Sequence, residues 1–129
     1  MKHFKIEELV KTSTGLANVP DAKSVENLKY LVENLLDPVR EQWGKQIVVN
    51  SGFRSPAVNL AVRGAKNSSH LRGEAADITA GSNAENRKLF ELIKNSGLVF
   101  DQLIDEQNYA WLHLSLSKTA NRKQTLHLN

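Results

Sequence analysis

The chain has 129 residues, no cysteine and a formal net charge of +3. This length predicts one domain with its own buried core, and the lack of cysteine excludes disulfides and thiolate metal sites. Lysine and arginine are spread along the chain, and neither a basic helix nor an aromatic stacking ladder occurs, so we expect no nucleic-acid partner. No apolar run approaches the roughly 20 residues of a membrane span.

The first third of the chain predicts helices. Apolar residues recur at helical spacing in two segments, 4–10 and 25–36, which indicates amphipathic helices. Asp21 or Ser24 is expected to cap the second of them. Pro38 is expected to kink or restart it, because proline lacks the amide hydrogen that an uninterrupted helix needs.

The rest of the chain predicts strands around further helical segments. Short helical turns are expected after Pro56, and a longer helix is expected to begin at Ser82, which opens a capping box. Residues 118–129 form either an edge strand or a loose tail. Helices followed by strands predict a single α+β domain over residues 1–129, with a small antiparallel sheet flanked by helices. Strands are expected at 47–51, 75–79, 100–105 and 111–116.

Two histidines and one aspartate form a candidate metal-ligand set. His70, Asp77 and His113 would leave a fourth tetrahedral position for water, as in catalytic zinc sites. Side chains alternate between the faces of a strand, so Asp77 and His113 can converge if their strands are neighbours. Gly73 allows the chain to turn back and bring His70 to the same point. Taken singly, a histidine of this kind is more often a surface residue than a metal ligand, and a lone aspartate is more often a helix cap or an ion-pair partner.

Three motifs occur in a fixed order along the chain: S-G-F-R-S at 51–55, S-x-H-x-x-G-x-A-x-D at 68–77 and W-x-H at 111–113. Together they resemble the zinc D-alanyl-D-alanine peptidase family, in particular its branch of small carboxypeptidases and phage endolysin-like cell-wall peptidases. The resemblance covers nearly the whole chain, from Phe4 to about Ser117. It implies a fold like that of hedgehog domains and D-Ala-D-Ala peptidases.

The resemblance also implies roles for individual residues. Zinc ligands would be His70, Asp77 and His113, and Arg54 would face the substrate and stabilise the oxyanion that develops on the scissile carbonyl. Ser68 would form a hydrogen bond with a substrate carbonyl or carboxylate. The implied reaction is zinc-dependent hydrolysis of an amide bond in peptidoglycan peptides, at a D-Ala-D-Ala end or by an endolysin-type endopeptidase.

The chain departs from the family at one catalytic position. Many relatives place an acidic residue three positions before the last histidine ligand, where this chain has Ala110. Hydrolysis requires a general base, and the nearest acids are Asp105 and Glu106. A glutamate at the end of this strand resembles the counterpart in the nearest branch, so we predict Glu106 as the base, with Asp105 as the alternative.

Two further functions are compatible with the same residues. Hedgehog-type domains share the fold and zinc site without evident peptidase activity, so the first alternative is a non-catalytic, zinc-stabilised module that binds cell-wall peptide. The second is a non-haem iron oxygenase, because two histidines and a carboxylate also form the iron facial triad. We expect a monomer without a secretory signal peptide, synthesised in the cytoplasm. This fits a phage or prophage enzyme that a separate pore releases to the cell wall, and it also fits a cytosolic peptidase.

Overall fold

The structure is a computed structural model that describes residues 1–128, and over this range it contains five α-helices and one five-stranded sheet. The helices are α1 (Ile6–Val10), α2 (Ala22–Leu31), α3 (Asp37–Trp43), α4 (Pro56–Ala61) and α5 (Asn83–Lys94). The strands are β1 (Val48–Ser51), β2 (Ala75–Thr79), β3 (Gln102–Glu106), β4 (Trp111–Ser115) and β5 (Gln124–Leu128). This arrangement confirms the predicted α+β class.

Helical conformation continues from α2 to α3, past Pro38, through a widened turn. Between α2 and α3, Val32–Leu36 forms a π-helical segment, and the Asp37 amide donates to the Val32 carbonyl. Pro38 has no amide hydrogen for the preceding turn, and a π turn within a helix accommodates such a mismatch. The interruption predicted at Pro38 therefore takes the form of this π-helical segment, and α3 begins directly after it with Pro38 in its first turn. Of the two predicted caps, Asp21 is the one used, since its carboxylate accepts from the Ser24 amide at 2.8 Å.

The sheet has the strand order β1-β2-β4-β3-β5. The pairs β1–β2, β2–β4 and β3–β4 are antiparallel, as predicted, whereas β5 pairs with β3 in parallel. The segment after β4 passes the beginning of β3, where the amides of Lys123 and Gln124 donate to the carbonyls of Phe100 and Asp101, so β5 starts at the same end as β3 and runs parallel to it. Residues 124–128 thus form the edge strand, and the loose-tail alternative is wrong for them; Asn129 lies outside the described residues.

The two faces of the sheet differ in chemistry. One face packs on the helices and carries fully buried apolar side chains, including Ile78, Leu103, Leu112 and Leu114. The opposite face presents the polar side chains of the same strands, because side chains alternate along a strand. The core therefore fixes the strands that carry the site. No helix within residues 1–128 has the length and apolar character needed to cross a membrane.

Candidate metal centre and its cleft

Neighbouring strands place Asp77 directly beside His113. Strands β2 and β4 are paired with Asp77 opposite His113, which confirms that the two strands are neighbours. The Nδ1 atom of His113 lies 3.1 Å from Oδ1 of Asp77. Both side chains are largely buried, and the apolar residues that alternate with them lock the strand faces in place.

His70 reaches the same carboxylate oxygen from a tight turn. It lies in the 3₁₀ turn Ser69–Arg72, which ends at Gly73 in the left-handed conformation with φ of 72°. A Cβ atom on Gly73 would lie 2.5 Å from the Ser24 carbonyl oxygen, so this position requires glycine for space as well as for conformation. The Nε2 atom of His70 lies 3.1 Å from Oδ1 of Asp77.

The three side chains fit a tetrahedral metal ion. Their ligand atoms all lie within 4.8 Å of one another. Atoms that share one zinc ion at roughly 2.0–2.1 Å are about 3.3 Å apart in tetrahedral geometry, close to the 3.1 Å that separates each ring nitrogen from the carboxylate oxygen. Two imidazoles and one carboxylate suit zinc, and the cleft leaves room for a further ligand.

The outer ring nitrogen of His70 is held by the backbone. Nδ1 lies 2.7 Å from the Gly52 carbonyl oxygen, and since a carbonyl can only accept, Nδ1 carries the hydrogen. In the neutral ring this leaves Nε2 with the lone pair that a metal requires. Carbonyl contacts of this kind orient histidine ligands in metalloproteins.

The charge of Asp77 is stabilised from several sides. Burial raises the pKa of its carboxyl group, but the close polar contacts with His113 and His70 outweigh burial and hold the pKa well below its usual range. Arg54 also donates from its guanidinium to Oδ2 of Asp77 at 3.0 Å. Asp77 is therefore ionised at neutral pH, with Oδ1 directed at the two histidines.

Arg54 is fixed by contacts that the sequence did not indicate. Its guanidinium donates to Ser51 Oγ at 3.0 Å and to Asn59 Oδ1 at 3.4 Å. Its amide donates to the His70 carbonyl at 3.0 Å. Asn59 belongs to no motif, and only its burial on α4 could have signalled a role. A Cβ atom on Gly64 would lie 1.9 Å from Asn59 Oδ1, so the glycine leaves space for this contact.

The three candidate ligands lie in a cleft of about 450 Å³, which Arg54, Ser68 and Glu106 also line. Ser68 caps the 3₁₀ turn, because its hydroxyl accepts from the His70 amide at 3.2 Å. All six site residues predicted from the sequence thus border one cavity. Other charged residues border it as well, namely Arg63, Arg72, Asp101 and Arg122.

The two acids considered as the base lie on opposite faces of β3. Glu106 faces the cleft, where its Oε2 accepts from the Trp111 indole at 3.3 Å. Asp105 faces the core, accepts from the Tyr109 amide, and lies 2.9 Å from Nδ1 of His127. His127 therefore ties β5 to β3.

Replacing Gly52 with alanine tests how closely the fold and the site are coupled. Its Cβ would lie 2.4 Å from the carbonyl oxygen of Leu9, a backbone atom of a fully buried residue. We expect a loss of about 1–3 kcal/mol in unfolding free energy. The displaced Gly52 carbonyl should also weaken metal binding about 10- to 100-fold. Chemical denaturation and competitive zinc titration measure both, and unchanged values would contradict the close packing.

Comparisons with known proteins identify the family. A family model described as Peptidase M15 matches residues 2–115. A stretch of 48 residues is 52% identical to a zinc D-Ala-D-Ala carboxypeptidase of Streptomyces albus G, and this stretch covers 36% of the chain and 19% of that protein. The match therefore spans about a fifth of the length of that relative. The family match extends over most of the chain and confirms the family that the three motifs predicted: the chain belongs to the Peptidase M15 family.

Proposed function

We propose that this chain is a zinc-dependent peptidase that hydrolyses an amide bond in the peptide part of peptidoglycan. The observation that carries the proposal is the convergence of His70, Asp77 and His113 at one point of a cleft large enough for a peptide segment. The family consists of peptidases. The protein of Streptomyces albus G that matches part of this chain is named a zinc D-Ala-D-Ala carboxypeptidase.

Each of the six predicted site residues has a proposed role. His70, Asp77 and His113 hold zinc, which when bound polarises a carbonyl and activates water. Arg54 orients Asp77 and directs its remaining N–H groups at the oxyanion of the scissile carbonyl. Glu106 accepts a proton from water and passes it to the leaving amine. Ser68 positions the substrate through a hydrogen bond to a carbonyl or carboxylate.

The finer specificity is also proposed. The substrate is either the D-Ala-D-Ala end, cleaved by a carboxypeptidase, or an internal bond, cleaved by an endolysin-type endopeptidase. The partial similarity to a carboxypeptidase favours the first. The monomeric state, a phage or prophage origin and release to the cell wall through a separate pore stay predictions.

Product analysis tests the proposal directly. Purified peptidoglycan and a synthetic peptide ending in D-Ala-D-Ala are incubated with zinc-loaded protein, and mass spectrometry identifies the products. A carboxypeptidase releases free D-alanine, whereas an endopeptidase releases two peptide fragments. A sample treated with a chelator is the control and is expected to be inactive.

The non-catalytic module remains the second function because position 110 is alanine and the Glu106 carboxylate is engaged by Trp111. Zinc-dependent binding of the peptides, without any product, would favour this module and overturn the peptidase. Elemental analysis of the purified protein addresses the iron alternative, since bound iron in place of zinc would favour an oxygenase.

Replacing Arg54 with alanine should separate catalysis from metal binding. Removing one donor to an oxyanion costs roughly 100-fold in turnover, and this loss should persist when zinc saturates the site. Because Arg54 also donates to Asp77, zinc affinity should fall by about 10- to 100-fold. Zinc titration and turnover at saturating zinc measure the two effects.

Arg72→Ala is the matched control for Arg54→Ala. Arg72 borders the same cleft, but its guanidinium pairs with Glu74 at 2.7 Å and is largely exposed. We expect zinc affinity and turnover close to those of the unaltered protein. Equal losses in the two variants would show that Arg54 acts only through the overall charge of the cleft.

A further inference from the structure

The C-terminal segment, residues 117–128, builds one wall of the cleft although the family match ends at residue 115. Its strand β5 pairs with all five residues of β3, the strand that carries Glu106. The Gln102 side chain donates to Gln124 at 2.8 Å, and the Gln107 amide donates to the Leu128 carbonyl at 2.7 Å. Arg122 and Leu128 both border the cleft.

Arg122 is held in one orientation by Asp101. Its Nε and terminal nitrogen donate to the two carboxylate oxygens at 2.9 and 3.0 Å, and its amide donates to the same carboxylate at 3.0 Å. A guanidinium has five N–H donors, so three remain for another acceptor. The side chain is 60% exposed and borders the cleft, so an acceptor bound in the cleft can reach it.

The charge of the cleft favours an acidic ligand. Its border carries four arginines against three carboxylates, and a zinc ion would add further positive charge. A guanidinium whose orientation is already fixed loses little freedom on binding and matches the planar geometry of a second carboxylate. Arg122 therefore suits a carboxylate more than a neutral group.

The strand register gives the distance from this position to the metal centre. Ile104 lies opposite His113, and Asp101 precedes Ile104 by three positions, or about 10 Å along an extended strand. An extended peptide covers about the same distance with three residues. If the scissile bond of a substrate lies at the metal centre, the residue about three positions from that bond would thus have its side chain near Arg122.

We propose that the C-terminal segment is a substrate-binding wall in which Arg122, oriented by Asp101, binds a carboxylate of an acidic peptide about three residues from the scissile bond. This inference rests on the proposed peptidase function and adds a specificity determinant to it. Asp101 acts as a positioning residue, and Arg122 contacts the substrate.

Two matched peptides test the proposal. Both end in D-Ala-D-Ala, and they differ only at the residue three positions before the scissile bond, which is glutamate in one and glutamine in the other. For the unaltered protein we expect the glutamate peptide to have a kcat/KM higher by about 10- to 100-fold, the range for a hydrogen bond between charged groups. Arg122→Gln should remove this preference by raising the KM for the glutamate peptide, with kcat and zinc content unchanged.

Arg63→Gln is the control for overall charge, because Arg63 is an exposed arginine that borders the same cleft. It should retain the preference for glutamate. Equal loss in Arg63→Gln and Arg122→Gln would overturn the proposal, as would a preference that survives Arg122→Gln. Should Arg122→Gln fold poorly, Arg122→Lys keeps the charge without the planar fork and should show a reduced preference.

Calorimetry separates this proposal from the peptidase function. If the zinc-loaded protein cleaves neither peptide, the peptidase function fails, but the difference in binding affinity between the peptides still reports on Arg122. If the glutamate peptide binds more tightly and this difference disappears in Arg122→Gln, the proposed substrate-binding role of the C-terminal segment is supported. Equal affinity for both peptides, or binding of neither, would overturn it.

Discussion

Replacing His113 with alanine is expected to remove most of the bound zinc and to abolish hydrolysis. The change leaves two protein ligands in place of three, and nothing else within residues 1–128 supplies an imidazole at that position on β4. Zinc binding to the folded state contributes to stability, about 2.7 kcal/mol when free zinc is 100 times its dissociation constant. The variant should therefore also lose the increase in melting temperature that zinc gives. Elemental analysis and thermal unfolding with and without zinc measure these effects.

His127→Ala is a matched control for His113→Ala. His127 also contacts a buried aspartate, at 2.9 Å from Asp105, but it lies outside the ligand cluster. This variant should lose some stability because it loosens β5, and it should keep its zinc. Undiminished zinc in His113→Ala would show that the metal is held elsewhere or that the cluster is only a buried ion-pair network.

The hydrogen-bonding requirements of His70, Asp77 and His113 favour a bound metal ion over a buried ion-pair network. Asp77 Oδ1 accepts from both histidines only if both facing ring nitrogens carry hydrogen. His70 already has a hydrogen on Nδ1, which lies 2.7 Å from the Gly52 carbonyl, so a second one on Nε2 requires the charged ring. A zinc ion held by these three residues would take the place of those hydrogens, and its binding should release protons.

The sequence predicted the parts of the site that depend on local patterns. Alternation along β2 and β4 placed Asp77 and His113 on one face, and the strand register then brought them together. Gly73 predicted the turn that returns His70, and its left-handed φ of 72° accounts for this. The same alternation separated Asp105 from Glu106, although the sequence alone left open which of them faced the metal.

The features that the sequence did not predict depend on tertiary packing. Arg54 and Asn59 are only five positions apart, but their contact requires the packing of α4 against the 3₁₀ turn, and no spacing rule signals it. The direction of β5 follows from a crossing segment, and a polar stretch ending in one apolar–polar–apolar triplet does not specify parallel pairing. Pro38 predicted a kink or a restart, and the structure has a π-helical segment at this point, which the packing of Val32, Leu35 and Leu36 in the core holds in place.

Asp105→Asn is the control for the general base. Asp105 lies on the same strand as Glu106 but on the core face, where it accepts from the Tyr109 amide. The change should lower stability, because a buried carboxylate with two partners loses part of its bonding, and it should leave turnover per folded molecule nearly unchanged. Circular dichroism at the assay temperature gives the folded fraction that this comparison needs.

Glu106→Gln is expected to lower turnover by roughly 100- to 10,000-fold, the range for loss of a general acid–base residue. Glutamine keeps the size of the side chain and can still accept from the Trp111 indole, but it cannot take up the proton that the reaction releases. Zinc content and peptide affinity should therefore stay unchanged while kcat falls. Loss of turnover in Asp105→Asn with an active Glu106→Gln would identify Asp105 as the base. Full activity in both variants would show that neither carboxylate is the base.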